Sequence, residues 1–232
     1  MKYLLFVFLF TGLMFSCSEK DRQVDLDESP AESLSMDSLF EDTTKVLNVY
    51  LPTLIDSANQ ILVHKIYVSN GKDVDASFSL KRAKSYEGPN LVNLIFEDVI
   101  NKKTYLLTNN QLQITSYDVI SQLIGRIGKK YILYRVIDKD YNKDGVLDGR
   151  DIGSLYISDI DGTSFTKITK DNEDMKNSEW MYPLNRYYFR TMEDTNKDGY
   201  FDIKDKIHYY YIQFDGQGYQ TVEYSPLEIF NK

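Results

Sequence analysis

The chain of 232 residues carries a single cysteine, Cys17. One thiol closes no internal disulfide and builds no cysteine-rich zinc site. Histidine is nearly as scarce: His64 and His208 are the only two. Each falls in a strand-like run, where a histidine is expected to be satisfied by its neighbours or left in solvent. No serine stands in a nucleophile-elbow pattern. A basic excess is missing too. The 35 Asp+Glu and 27 Lys+Arg leave a formal net charge of −8, which excludes nucleic acid as a partner, because phosphate binding needs a basic footprint. What the chain has in quantity is carboxylates and aromatic residues, with 19 Tyr and 12 Phe, a bias that suits sheets.

Residues 1–16 read as a secretory leader. Lys2 supplies a positive start, and the run from Tyr3 to Phe15 is apolar apart from Thr11 and Gly12. Such a run rises about 20 Å as a helix, short of the ~30 Å hydrocarbon core, so it fits a signal-peptide core rather than a membrane span. It ends at Leu13-Met14-Phe15-Ser16-Cys17, which resembles a bacterial lipoprotein lipobox, with the small Ser16 before the cysteine. The resemblance implies that Cys17 is acylated and that the lipid holds the protein at the cell envelope, on the outer membrane. Residues 17–42 then form a lipidated acidic tether. The stretch 18–42 holds nine acids, two bases, five serines and Pro30, too little apolar surface to offset ordering entropy.

From residue 43 to 232 the pattern is that of one β-rich domain. Runs at 61–69, 76–82, 91–100, 104–109 and 111–115 are rich in β-branched and aromatic residues and are separated by turn clusters such as Ser69-Asn70-Gly71 and Gly88-Pro89-Asn90. The clearest strands are 131–137, 153–158, 186–192 and 208–214. In the last of these His208, Tyr210, Ile212 and Phe214 share one face, with Tyr209 and Tyr211 on the other. Residues 46–55, interrupted by Pro52, suit a short helix or a first strand. Residues 116–124 predict a helix, capped by Ser116, with Tyr117, Ile120 and Ile124 on one face and Gly125 as the stop.

Two segments repeat at an offset of 54 residues. The first runs Asp140-Tyr141-Asn142-Lys143-Asp144-Gly145-Val146-Leu147-Asp148-Gly149-Arg150-Asp151. The second runs Asp194-Thr195-Asn196-Lys197-Asp198-Gly199-Tyr200-Phe201-Asp202-Ile203-Lys204-Asp205. The likeness continues to the Asp-Gly pairs Asp161-Gly162 and Asp215-Gly216. The pattern is that of an EF-hand-type calcium loop. Calcium takes six to eight oxygens, more than one carboxylate supplies. Asp140, Asn142 and Asp144, and Asp194, Asn196 and Asp198, place three side-chain oxygens around one centre. Gly145 and Gly199 permit the sharp turn. Val146 and Tyr200 offer a backbone carbonyl, and Asp148 and Asp202 bind directly or through water. Asp151 and Asp205 close the loops where a glutamate is usual. Two calcium ions are therefore expected. Each loop carries a net charge of −2 and the tether −7, so the rest of the chain is slightly basic.

The loops lack helical flanks. Tyr131-Ile132-Leu133-Tyr134 precedes the first and Leu155-Tyr156-Ile157-Ser158 follows it, so each loop is expected inside a β-hairpin. The run from Leu155 through Asp161-Gly162 to Thr169 resembles a WD40-like repeat of TolB-type β-propellers. The segment Ser178-Glu179-Trp180 resembles the Trp-containing start of a blade, and the hairpin loops are similar to those of integrin-type propeller blades. Covering about residues 130–230, the resemblance implies an all-β fold of three or four propeller-like antiparallel hairpin units, with a β-sandwich as the alternative. The expected function is a non-catalytic, lipid-anchored calcium-binding protein of the cell envelope that presents a partner-binding face. A glycan-binding lipoprotein is the first alternative, through Tyr187, Tyr188 and Tyr209 to Tyr211 stacking on sugar rings. A hydrolase using spare carboxylates is the second. A calcium sensor is disfavoured, because loops in hairpins stiffen rather than open.

Overall fold

The computed structural model describes residues 33–70 and 90–228. The expected strand at 76–82, the leader and most of the tether lie outside them. Three antiparallel sheets follow one another along the chain. The first holds β1 (Lys45–Val49), β2 (Thr53–Asp56), β3 (Ile61–Asn70), β4 (Asn90–Asp98) and β5 (Lys103–Leu106). The second holds β6 (Gln113–Ile120), β7 (Tyr131–Ile137), β8 (Gly153–Asp159) and β9 (Thr166–Lys167). The third holds β10 (Glu173–Met181), β11 (Arg186–Glu193), β12 (Lys206–Phe214) and β13 (Tyr219–Tyr224).

In the first sheet β1 and β2 both pair with β3, at successive stretches of its length. They behave as one strand broken at Pro52, which has no N–H to continue a ladder. The reading of 46–55 as a strand therefore holds, in two pieces. The expected helix at 116–124 does not form. Ser116 to Ile120 pair with Arg135 to Tyr131 across β6 and β7. The β-branched Ile114, Thr115, Val119 and Ile120 fit a pleated surface better than a helix. Helical turns begin only at Ser121–Leu123 and continue in α2 (Ile124–Ile127), which ends at Gly128 with φ +73.

Two cores glue the layers. Ile61, Val63, Leu94 and Phe96 of the first sheet meet Ile132, Tyr134 and Val136 of β7. Tyr131, Leu133, Leu155 and Ile157 of the second sheet meet Tyr187, Phe189, Tyr210, Ile212 and Phe214 of the third. The second sheet is thus buried on both faces, which is why β7 reads as an almost continuous apolar run. β12 instead alternates between buried and half-buried positions from His208 to Phe214, as expected for a sheet packed on one side. The architecture is all-β. The sheets stack in chain order, and among the described residues no core cluster joins the third back to the first.

The outer face of the first sheet is covered by a helix that composition alone did not foretell. α1 (Met36–Glu41) lies inside the stretch read as tether. Ser35 caps it by accepting the Asp37 N–H, and Met36 and Leu39 bury against Ile66 and Val92. The packed body therefore starts before residue 43. Among the described residues no helix is long and apolar enough to cross a membrane.

Candidate metal centres

Both acidic loops sit where their spacing placed them, between the central strands of a sheet: the first joins β7 to β8 and the second joins β11 to β12. Most of their backbone hydrogen bonds repeat atom for atom. Asp140 Oδ2 accepts the Gly145 N–H at 2.7 Å, and Asp194 Oδ2 accepts the Gly199 N–H at 2.8 Å. Asn142 and Asn196 accept the Asp144 and Asp198 N–H groups at 3.0 and 2.9 Å. Asp144 and Asp198 each accept the N–H two residues on, from Val146 and Tyr200, at 3.0 Å. The closing carboxylates tie the two ends together. Asp151 accepts from Tyr141 and Asp148 at 2.8 and 3.0 Å, and Asp205 accepts from Thr195 and Asp202 at 3.1 and 2.8 Å. Backbone turns match as well: Lys143 and Lys197 have φ of 56° and 57°, Gly145 and Gly199 of 80° and 81°. These left-handed positions are why glycine stands at the sixth place of each loop.

The geometry fits the donor chemistry of a hard cation in part. Each loop draws Asp, Asn and Asp oxygens into one turn, the oxygen-rich set that calcium takes. Among the described residues, however, no three His, Cys, Asp or Glu side chains converge as a metal cluster. The loop carboxylates are engaged by backbone N–H groups and by local cations.

Those cations differ between the loops. In the first, the Arg150 guanidinium lies 2.6 Å from both Asp144 Oδ2 and Asp148 Oδ2, and the hydrogen-bonded Asp148 carboxylate raises its pKa. In the second, Lys204 reaches only Asp202, at 3.4 Å, and Asp198 Oδ2 accepts from the Asn196 amide. The Asp202 carboxyl is held below its ordinary range, first by the Lys204 N–H. Asp151 is fully buried. That desolvation pushes its carboxyl up despite three N–H donors. Val146 is exposed and Tyr200 half-buried, as suits a position that contributes backbone.

The structure adds features that reading along the chain missed. Phe201 of the second loop packs on Tyr141 and Ile152 at the two ends of the first, so the loops are neighbours. Beside the first loop, buried Asp138 accepts from Ser154, Tyr156 and Lys167, each at 2.8 Å. In the third sheet His208 takes the place of Ser154. It is buried, with Nδ1 2.8 Å from Glu223 and Nε2 2.8 Å from Glu193. Glu173, also buried, accepts from Thr191 and Tyr210. The offset of 54 residues that aligns Ser154 with His208 and Tyr156 with Tyr210 was the available signal. His64 meets Glu97 at 3.0 Å. A cavity of about 180 Å³ beside the first loop is lined by Arg135, Asp151, Ser154 and Asp174. It contains one carboxylate from outside the loops, Asp174, which accepts the Gly153 N–H and pairs with Lys176.

Tyr187 and Tyr210 point into the core, whereas Tyr188, Tyr209 and Tyr211 lie on the opposite face of the third sheet. Comparison of the chain with models of known protein families, with curated proteins and with solved structures finds no match.

Proposed function

We propose that the protein is a lipid-anchored, non-catalytic component of the cell envelope whose β-rich body is stiffened by calcium at loops 140–151 and 194–205. Cys17 is the anchor point, and the acidic segment after it sets the body off from the membrane. Asp140, Asn142, Asp144, Asp148 and Asp151 would hold one ion, with the carbonyl of Val146. Asp194, Asn196, Asp198, Asp202 and Asp205 would hold the other, with that of Tyr200. Calcium would neutralise the carboxylates of each loop and fix the hairpin that carries it. The finer architectural reading is a partial propeller, each four-stranded sheet standing as one blade-like unit.

The observation that carries this reading is the recurrence in both loops of the same backbone N–H donors on corresponding Asp and Asn side chains. An unrelated pair of acidic surface turns has no reason to share those donors and the same left-handed positions. The test is calcium titration of the metal-stripped protein with thermal melts. At a hundredfold excess over Kd, one site stabilises by about 2.7 kcal/mol, a rise of roughly 5–10 °C for a chain of this size. Asp144→Ala and Asp198→Ala should each remove part of that rise. Absence of calcium binding by calorimetry would end the reading.

A further inference from the structure

The two ends of the stack of sheets are finished differently. At one end α1 covers the outer face of the first sheet. At the other, no element of the described residues covers the outer face of the third. Its centre is four tyrosines. Tyr188 lies 5.4 Å from Tyr211 and 5.7 Å from Tyr224, and Tyr209 lies 6.0 Å from Tyr224. Two arginines are fixed among them. Arg186 stacks 4.4 Å over the Tyr211 ring and donates to Gln213 at 2.6 Å and to the Tyr188 hydroxyl at 3.0 Å. Arg190, exposed, donates to Asn177.

The face carries a small positive charge. Against Arg186 and Arg190, Glu179 is the one carboxylate on the outward positions from Asn177 to Met181, Arg186 to Arg190, Tyr209 to Gln213 and Gln220 to Tyr224. Tyrosine and arginine are the residues enriched at the energetic centres of protein interfaces, and a pre-positioned guanidinium suits carboxylates. Sugar rings would need a flat platform, but these tyrosines tilt against one another by 42° to 86°. A second copy would set one cationic face on another. The first sheet supplies the template for a cover: α1, Met36-Asp37-Ser38-Leu39-Phe40-Glu41, is a short amphipathic segment with acidic residues beside its apolar anchors.

We propose that the outer face of the third sheet docks an acidic amphipathic segment of another protein, apolar side chains against the tyrosines and carboxylates on Arg186 and Arg190. This goes beyond the calcium reading and stands without it, so the experiment is run in both EDTA and calcium. Peptides selected from a random display library against the folded protein should be enriched in acidic and apolar residues. A synthesised winner should bind about tenfold or more weakly to the Arg186→Glu/Arg190→Glu variant, unchanged to Lys102→Glu in the turn between β4 and β5, and several-fold more tightly to Glu179→Lys. The last variant guards against misfolding of the double variant, because it requires a gain. Four outcomes overturn the proposal: no selected peptide, winners without acidic residues, affinity indifferent to these charges, or sensitivity of glycan binding or self-association, rather than peptide binding, to the same variants.

Discussion

Substituting Gly162 by alanine tests how tightly the first two sheets are locked. Gly162 lies in the turn between β8 and β9, at φ +82. A Cβ added there would stand 2.5 Å from Cδ2 and Cε2 of Phe96 and 2.7 Å from Cζ. Phe96 has no exposed surface and is held in the core between the sheets. The same turn is pinned by the Tyr105 hydroxyl, which donates to the Asp161 carbonyl at 2.8 Å. Enclosed in that core, the Phe96 ring can yield only by displacing its neighbours. Gly128 is the matched reference: its φ is +73, and nothing lies within 4 Å of its added Cβ. Both alanines carry the left-handed penalty of about 1–2 kcal/mol. Only the one at 162 adds overpacking of about 1–3 kcal/mol. Gly162→Ala should therefore cost about 2–5 kcal/mol and Gly128→Ala about 1–2 kcal/mol. Urea melts followed by circular dichroism and by the fluorescence of the single Trp180 would read the difference. Phe96→Leu in the Gly162→Ala background should restore part of it, as a coupled pair must. Equal losses in the two glycine variants would refute the close contact on which the reasoning rests.

Lys130 Nζ lies 2.8 Å from the carboxylate of Asp56, which is 1% exposed. Lys130→Met should cost about 3 kcal/mol in urea melts, because Asp56 keeps only Asn59 and the Ala58 N–H. Burial pushes the Asp56 carboxyl up, but Lys130, Asn59 and Ala58 together hold it below its ordinary range. Its contribution is thus present above about pH 4 and lost as pH falls through the depressed folded value. An acid limb no flatter in Lys130→Met than in the parent would count against this pair. In the proposed calcium loops, Arg150→Gln should tighten the first site roughly two- to fivefold by calorimetry, since the guanidinium competes for Asp144 and Asp148. Lys204→Gln should move the second site less, and a weaker first site in Arg150→Gln would mean that Arg150 supports the loop instead.

Strands 131–137 and 208–214 were legible because local composition and burial agree there: β-branched and aromatic residues lie on a pleated surface between layers. The loops were legible because every hydrogen bond in their webs spans at most ten residues along the chain. What failed was decided by contacts distant in sequence. Residues 116–120 have a helical stripe, yet β7 lies beside them and claims their backbone. Met36 and Leu39 stand among carboxylates, and an averaged composition hides two apolar anchors that α1 buries on the first sheet. Nothing in either loop announced that Phe201 would rest on Tyr141. Arg150 was counted as a charge in the sequence, and only its guanidinium placement makes it a competitor.

Among the described residues the three sheets never borrow a strand from one another. A chain that emerges N-terminus first, as the proposed leader would draw it across a membrane, can therefore complete each sheet before the next arrives, with no early strand waiting for a late partner. The hazard of that order is also local. When the chain has emerged as far as β9, Leu133, Leu155 and Ile157 form a finished apolar surface, and β11 and β12, which will cover it, have not yet arrived. Chains halted there would be the sticky species, exposed for as long as the third sheet takes to emerge.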